Sequence, residues 1–301
     1  MGSARRRLFV PLFAVLLVLL LSSQAHAWGP ATHVKLAGDL LAHAELLPAS
    51  LAALLLRHRR AFIYGNVATD TVFAKKMSRI KQICHHWSTG FALLRSARTD
   101  DGRAFAHGYL AHLAADTVAH NQFLPRQMAV ARSTVTFGHL YWELRADAPM
   151  ERAYWARLRN VLHDEPSEAE SLLRTALTDT LLSFKANRVI FKRMNLLASL
   201  KGWRRSVEFW GRLSRYPLDP AVLAAYHAES VLRIRDVLTR GEASPVLHLD
   251  PNGNAALDYA RAQRRQLRQF KRANIPHGHV IEEAAFGHAP GRSAVTIRLI
   301  V

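Results

Sequence analysis

A polar stripe set into an apolar helix constrains this chain more than any other feature. The stretch YLAHLAADTVAHN, residues 109–121, is rich in Ala and Leu and reads as helix, yet it places His112, Asp116 and His120 at successive steps of four. Each step of four advances a helix by about 40°, so the three side chains share one narrow sector. Buried without partners they would be costly, so something must satisfy them. A second set has the same geometry: in FGHLYWELRADA, His139 and Glu143 are also four apart. Two helices that each offer a His/carboxylate set are what a metal site inside a helix bundle requires. Neutral imidazole and carboxylate suit zinc, and a carboxylate shared by two ions would make a polynuclear centre. The alternative is a core of hydrogen-bonded histidines with each acid paired to an arginine.

The rest of the chain also reads as helices. Asp219 before Pro220 has the form of an N-cap and first helical position, and Gly241 closes that helix. Ser167 and Glu170 have capping-box spacing before SLLRTALTDTLLSF, and Asp250-Pro251 is read as opening a helix with ALDYARAQRRQLRQFKRA as its body. Alternating β-branched residues occur only in SAVTIRLIV at the extreme C-terminus. The expectation is an all-α fold, a single multi-helix bundle domain over residues 28–272, with an irregular tail over 273–301.

Residues 1–27 have the order of a secretory signal peptide. Arg5, Arg6 and Arg7 precede an apolar run from Leu8 to Leu21, then Ala25-His26-Ala27 offers a small-x-small cleavage site. An uncleaved anchor is the competing reading, but the run is short for a span. Cleavage after Ala27 would make Trp28 the first residue and place the product in the periplasm or outside the cell. It would also remove three arginines and no acid, taking the formal charge from +18 to +15. So basic a chain points to an anionic partner: a phospholipid surface, a nucleic acid or a phosphate-bearing substrate. Half of the residues are hydrophobic, which excludes disorder as the default. Cys84 is the one cysteine, so no intrachain disulfide can form.

Further residues fall into a pattern around the two helical sets. WGPATH puts His33 five residues after Trp28, YGNVATD ends on Asp70, and KQICHHW supplies His85 and His86. In this order the residues resemble the zinc-dependent phospholipases C and the related single-strand nucleases that share their fold, over roughly Trp28 to Asp147. The resemblance implies three zinc ions. One would be held by Asp70, His85 or His86, His112 and Asp116; a second by the Trp28 amine and carbonyl, His33 and the shared Asp116; a third by His120, His139 and Glu143. His85 fits the family's distance from Asp70 better, which leaves His86 as a partner of a ligand. The four residues from Asp116 to His120 are fewer than the family usually has, so a different local geometry is expected at the third ion. Cys84 is read as a buried thiol rather than a ligand. His43, His58, His107, His163 and His227 are read as structural or surface residues.

Clustered zinc suits phosphodiester hydrolysis, with Asp70 the candidate general base and Asp116 the shared catalytic carboxylate. The leading expectation is a secreted phospholipase C that cleaves the glycerol–phosphate bond of phospholipids. The alternatives are a single-strand-specific zinc nuclease, which the positive charge would also serve, and a non-catalytic zinc-stabilised module that binds membranes or nucleic acid. The segment Phe191 to Leu213 combines basic residues with Phe191, Trp203, Phe209 and Trp210. It is read either as a contact for an anionic membrane surface or as an ordinary amphipathic core helix. No protein partner is evident from the sequence.

Overall fold

A computed structural model of the chain describes residues 28–71, 83–130, 135–164, 168–177 and 183–273. Their order is α1 (Pro30–Ala42), α2 (Ala49–Arg57), α3 (Arg59–Ala68), α4 (Trp87–Ser96), α5 (Asp100–Val118), α6 (Leu124–Val130), α7 (Val135–Asp147), α8 (Arg152–His163), α9 (Ala169–Ala176), α10 (Phe184–Ala198), α11 (Lys201–Arg212), α12 (Pro220–Arg240) and α13 (Asn254–Arg272). Short 3-10 turns join several of them, and no strand occurs among the described residues, so the fold is all-α as expected. None of these helices is long and apolar enough to cross a membrane. The leader 1–27, Ser167 and the tail beyond Ala273 lie outside the described residues.

The bundle is built around α5. Thr99 caps it, its hydroxyl accepting from Gly102 N at 2.9 Å, and Asp100 and Asp101 in the first turn face the positive end of the helix. Every residue from Gly108 to His120 is buried. A helix covered on all sides must be apolar almost all round, which is what the Ala- and Leu-rich sequence supplies. Neighbours α3, α4 and α12 enclose it. The α3–α5 contact is backbone on backbone: a Cβ on Gly65 would come within 2.1 Å of Phe105 O, and one on Gly108 within 2.0 Å of Phe62 O. Only glycine permits that approach.

At its C-terminal end α5 passes into a π-helical turn, Ala119–Phe123, before α6. Such turns concentrate at functional sites. Here it carries His120, where the short spacing led us to expect unusual geometry.

The Asp219–Gly241 helix forms as expected, with Asp219 accepting from Ala221 N at 2.8 Å and Gly241 ending it at φ 57°. Three local expectations need correction. The helix expected through Phe184 ends at Ala176, where Leu177 leaves the helical region at φ −116° and ψ 55°; residues 178–182 lie outside the described residues. The segment Phe191 to Leu213 is two helices, broken at Ser199–Leu200, where the Ser199 hydroxyl donates back to Leu196 O. Its second helix has no buried residue, so a core helix is the wrong description of α11. Finally, α13 begins at Asn254 rather than at Pro251. Asp250 still accepts from Asn254 N at 3.1 Å, but residues 250–253 form a turn, with Gly253 left-handed at φ 58°.

Candidate metal centre

Four parts of the chain bring five side chains to one buried point. His33 comes from α1, Asp70 from the turn after α3, His85 from the 3-10 turn Ile83–His85, and His112 and Asp116 from α5. Asp116 lies at the middle. Its Oδ1 is 3.4 Å from His33 Nε2, and its Oδ2 is 3.2 Å from both His85 Nε2 and His112 Nε2. Asp70 faces two of the same nitrogens, at 3.4 Å from His85 and 3.8 Å from His112. The His33 and His112 rings stack with centroids 3.9 Å apart.

Hydrogen bonding decides what these rings offer. His112 Nδ1 is 2.7 Å from Asn66 O, and a carbonyl can only accept, so Nδ1 carries the proton. In the neutral ring Nε2 is then a bare lone pair, and it lies 3.3 Å from His85 Nε2. Neutral imidazole nitrogens and carboxylate oxygens converging in this way repel unless a cation joins them. The donor set is that of zinc: imidazole and carboxylate, held from behind by backbone carbonyls. His33, Asp70 and His112 form one group whose ligand atoms all lie within 4.8 Å, and His85, His112 and Asp116 form another.

The ionisation of the site follows from the same geometry. Burial opposes a charged His112, but the charges of Asp116 and Asp70 outweigh it and raise its pKa. Burial lowers His33, and the charge of His112 adds to that. Burial alone would raise Asp116, yet His112 beside it, with the His33 and His85 rings close on its oxygens, holds it well below the usual carboxylate range. A proton on His112 thus occupies the electrostatic role that a metal ion would take over.

Beyond this cluster, His120 and His139 meet edge to face with ring centroids 5.2 Å apart. His120 Nδ1 lies 2.6 Å from Pro251 O, which again fixes the proton there and leaves Nε2 to coordinate, and 3.9 Å from Asp116 Oδ2. His139 and Glu143 are buried on α7. The polar stripe of α5 therefore borders both groups.

His86 stands apart from these groups. It is the N-cap residue of α4, partly exposed, while His85 turns inward. Cys84 Sγ lies 3.3 Å from His85 Nδ1, on the side of the ring away from the cluster. Trp28 is wholly buried, stacked on Phe123 at 4.8 Å, with its Nε1 donating to Ser230 Oγ at 3.3 Å. Of the histidines read as structural, His43 faces Glu45, His58 faces Asp101, and His227 packs edge-on against Trp28.

Two parts of the site escaped the sequence reading. Asp147, buried at the end of α7, accepts from Ala31 N at 3.1 Å, Thr32 N at 2.6 Å and the Thr32 hydroxyl at 2.8 Å. It thereby caps α1 directly before His33 and ties that helix to the one carrying His139 and Glu143. Burial pushes its carboxyl up to about 6 even against those hydrogen bonds. Its signal was present, because Asp147 continues the register of His139 and Glu143 by one more step of four. The second is the turn 250–253, which meets His120 through Pro251 O and His85 through Asn252 Nδ2, 3.3 Å from His85 O. Asn252-Gly253 is a turn dipeptide, and that signal was outweighed by Asp250-Pro251.

A cleft of about 120 Å³ opens over the cluster. His33, Asp70 and Glu143 line it, and its walls are mostly apolar side chains of α7, α10 and α11, among them Leu144, Phe191, Met194 and Trp203, interrupted by Asp147, Asn195 and Arg204. Asp70 keeps 14% of its side chain exposed, in contrast to the sealed Asp116.

Residues 32–187, just over half of the chain, match the family model described as zinc dependent phospholipase C. The matched span holds all the residues of both groups; Trp28 precedes it. No curated protein and no solved structure matches the chain.

Proposed function

The chain belongs to the zinc-dependent phospholipase C family, and from that membership we propose that it hydrolyses phospholipids at the glycerol–phosphate bond, outside the cell that makes it. The observation that carries this reading is the cleft, which His33 and Asp70 of the cluster line and whose remaining walls are mostly apolar. A phospholipid has that division itself, a charged phosphodiester joined to acyl chains, and the walls would keep water from the acyl end.

His33, Asp70, His85, His112 and Asp116 would hold zinc in the first group, and His120, His139 and Glu143 a further ion, three in all with a contribution from Trp28. Zinc bound there supplies Lewis-acid chemistry, making water acidic enough to attack near neutral pH and offsetting the charge that gathers on phosphate. Asp70, whose side chain reaches the cleft, would accept the proton of the attacking water at a carboxylate oxygen. Asp116, sealed from solvent, orients the three imidazoles around it. The water oxygen bonds to phosphorus, the bond from phosphorus to the glycerol oxygen breaks, and that oxygen takes up a proton to leave as diacylglycerol.

Cleavage after Ala27 is part of the proposal. It would free the amine of Trp28, which can give a metal the lone pair that a peptide nitrogen lacks. Burial of Trp28 at the entrance to the helix that bears His33 supports this. Protein retaining one residue before Trp28 should bind less zinc than protein starting there; equal zinc content would reduce Trp28 to a packing residue.

Zinc-loaded protein starting at Trp28, incubated separately with mixed phospholipids and with single-stranded DNA, tests the activity. Release of diacylglycerol is the expected result. Cleavage of DNA with lipid untouched would make the protein a nuclease, and no cleavage of either would make it a binding module.

A further inference from the structure

The helix α11 is divided lengthwise more sharply than its surroundings require. At 100° per residue, Lys201, Arg204, Arg205, Glu208 and Arg212 fall within an arc of about 100°. Trp203, Val207, Phe209, Trp210 and Leu213 fill about 160° of the opposite side. Only part of that apolar arc is covered. Trp203 and Val207 line the cleft, whereas Phe209, Trp210 and Leu213 are 57%, 67% and 62% exposed. Leu197 and Leu200, at the corner between α10 and α11, are 37% and 54% exposed, and Leu197 also lines the cleft. Two helices that wall the cleft, α10 and α11, therefore also carry exposed apolar side chains on the outside of the molecule.

The helix is firmly seated. The Arg204 guanidinium lies over the Trp155 ring at 5.0 Å and donates to Met150 O at 2.7 Å, and Gly211 packs against the Arg145 side chain. Its outward apolar face is thus a fixed feature of the surface. Beside that face, Lys201, Arg205 and Arg212 are exposed. Large aromatic side chains flanked by basic ones, on a helix that lies along the surface, match the chemistry of a bilayer interface with anionic head groups.

We propose that α11 and the α10–α11 corner are the surface by which this protein lies on an anionic phospholipid bilayer, with Phe209, Trp210 and Leu213 entering the boundary between head groups and acyl chains. The inference deepens the phospholipase reading and rests on it: a lipid could pass from the bilayer along the same helix into the cleft without crossing water. The basic residues give the occupant its sign, and the formal charge of +15 on the chain from Trp28 onward adds long-range attraction in the same sense.

Co-sedimentation of the zinc-loaded protein with phosphatidylglycerol/phosphatidylcholine vesicles, against pure phosphatidylcholine, tests the surface. The comparison includes Phe209→Ser/Trp210→Ser/Leu213→Ser and, separately, Arg205→Glu/Arg212→Glu. We expect the apolar triple variant to lose roughly tenfold or more in vesicle partition. The charge variant should lose binding to anionic vesicles at low salt, where the parent's preference for them is greatest. Both should keep the parent's melting temperature and its rate on a monomeric short-chain phosphatidylcholine. Vesicle binding by the triple variant equal to the parent, or no binding by the parent, overturns the proposal. So does a concentration-dependent dimer that only the triple variant loses, which would make the face a contact between copies. Vesicle binding lost in the variant, with no form hydrolysing the short-chain lipid, would remove the phospholipase reading and leave the docking surface standing.

Discussion

Asp116→Asn changes almost no volume, but it takes a full negative charge from among three imidazoles whose nitrogens lie within 3.4 Å of its oxygens. The amide would also turn an N–H toward at least one site where a metal needs a lone pair. We expect zinc content to fall by at least one equivalent and the hydrolysis rate by roughly a hundredfold or more, by elemental analysis and initial rates. Unchanged zinc in the variant would mean that the cluster is a hydrogen-bonded core and no metal site. Asp147 makes a different case, because it touches α1 and none of the clustered side chains. Asp147→Ala removes three hydrogen bonds from the first turn of α1, a loss of about 3 kcal/mol in unfolding free energy. Because Thr32 precedes His33, zinc affinity should weaken with it, and Asp147→Asn, which keeps an acceptor, should recover much of both. Urea midpoints and zinc titrations of the two variants would check this; an alanine variant as stable as the parent would show that the cap is replaceable.

Between elements, the α3–α5 contact carries the largest expected effect. Gly108→Ala would set a methyl group within 2.0 Å of Phe62 O, a backbone atom that cannot step aside alone. The two helices must part, at a cost of about 3 kcal/mol or more, and Asp70 beyond the end of α3 moves away from His112. A melting curve and a zinc titration would read both effects, and normal stability in the variant would refute the close approach. What could be read from the sequence here was what local arithmetic fixes. Steps of four placed His112 and Asp116 on one line, and likewise His139 and Glu143, because an α-helix fixes that register; His120 continues the stripe from the π-helical turn that follows. The cap made by Asp147 could not be read in this way, since its partners, Ala31 and Thr32, lie 116 and 115 residues away. The same holds for Pro251, whose carbonyl matters only because His120 needs an acceptor. Asp219-Pro220 and Asp250-Pro251 look alike locally, yet only the first opens a helix directly. The second is followed by Asn252-Gly253, and a Cβ on Gly253 would lie 2.4 Å from His120 O. His85 and His86 differ by one position, and only the turn that begins α4 separates the inward ring from the outward one.

For the whole molecule, acid should act through histidines as well as through the centre. Burial lowers His107 to about 4, below the ordinary 6.5 that it regains on unfolding. Its contribution to stability is therefore full above pH 6.5 and is lost as pH falls toward 4, because the unfolded chain takes up the proton first. The loss between pH 7 and 5 comes to about 2 kcal/mol. His107→Gln should flatten the pH dependence of urea unfolding by that amount in metal-free protein, and identical slopes in variant and parent would contradict it. Metal ions add a topological term. His33 and His112 are about 80 residues apart in the chain, and an ion gripping both would close a loop of that length in the unfolded ensemble. A cross-link of that span is worth about 4.5 kcal/mol in chain entropy, as much as a long-range disulfide. Cys84 can form no disulfide within the chain. Chelator should therefore lower the melting temperature of zinc-loaded protein by on the order of 10 °C, while a thiol-free phosphine reductant, which does not chelate zinc as a dithiol would, leaves it where it was. An equal fall with the phosphine would place the constraint elsewhere. A staple made of metal ligands would open to acid and to chelator, and reduction would leave it closed.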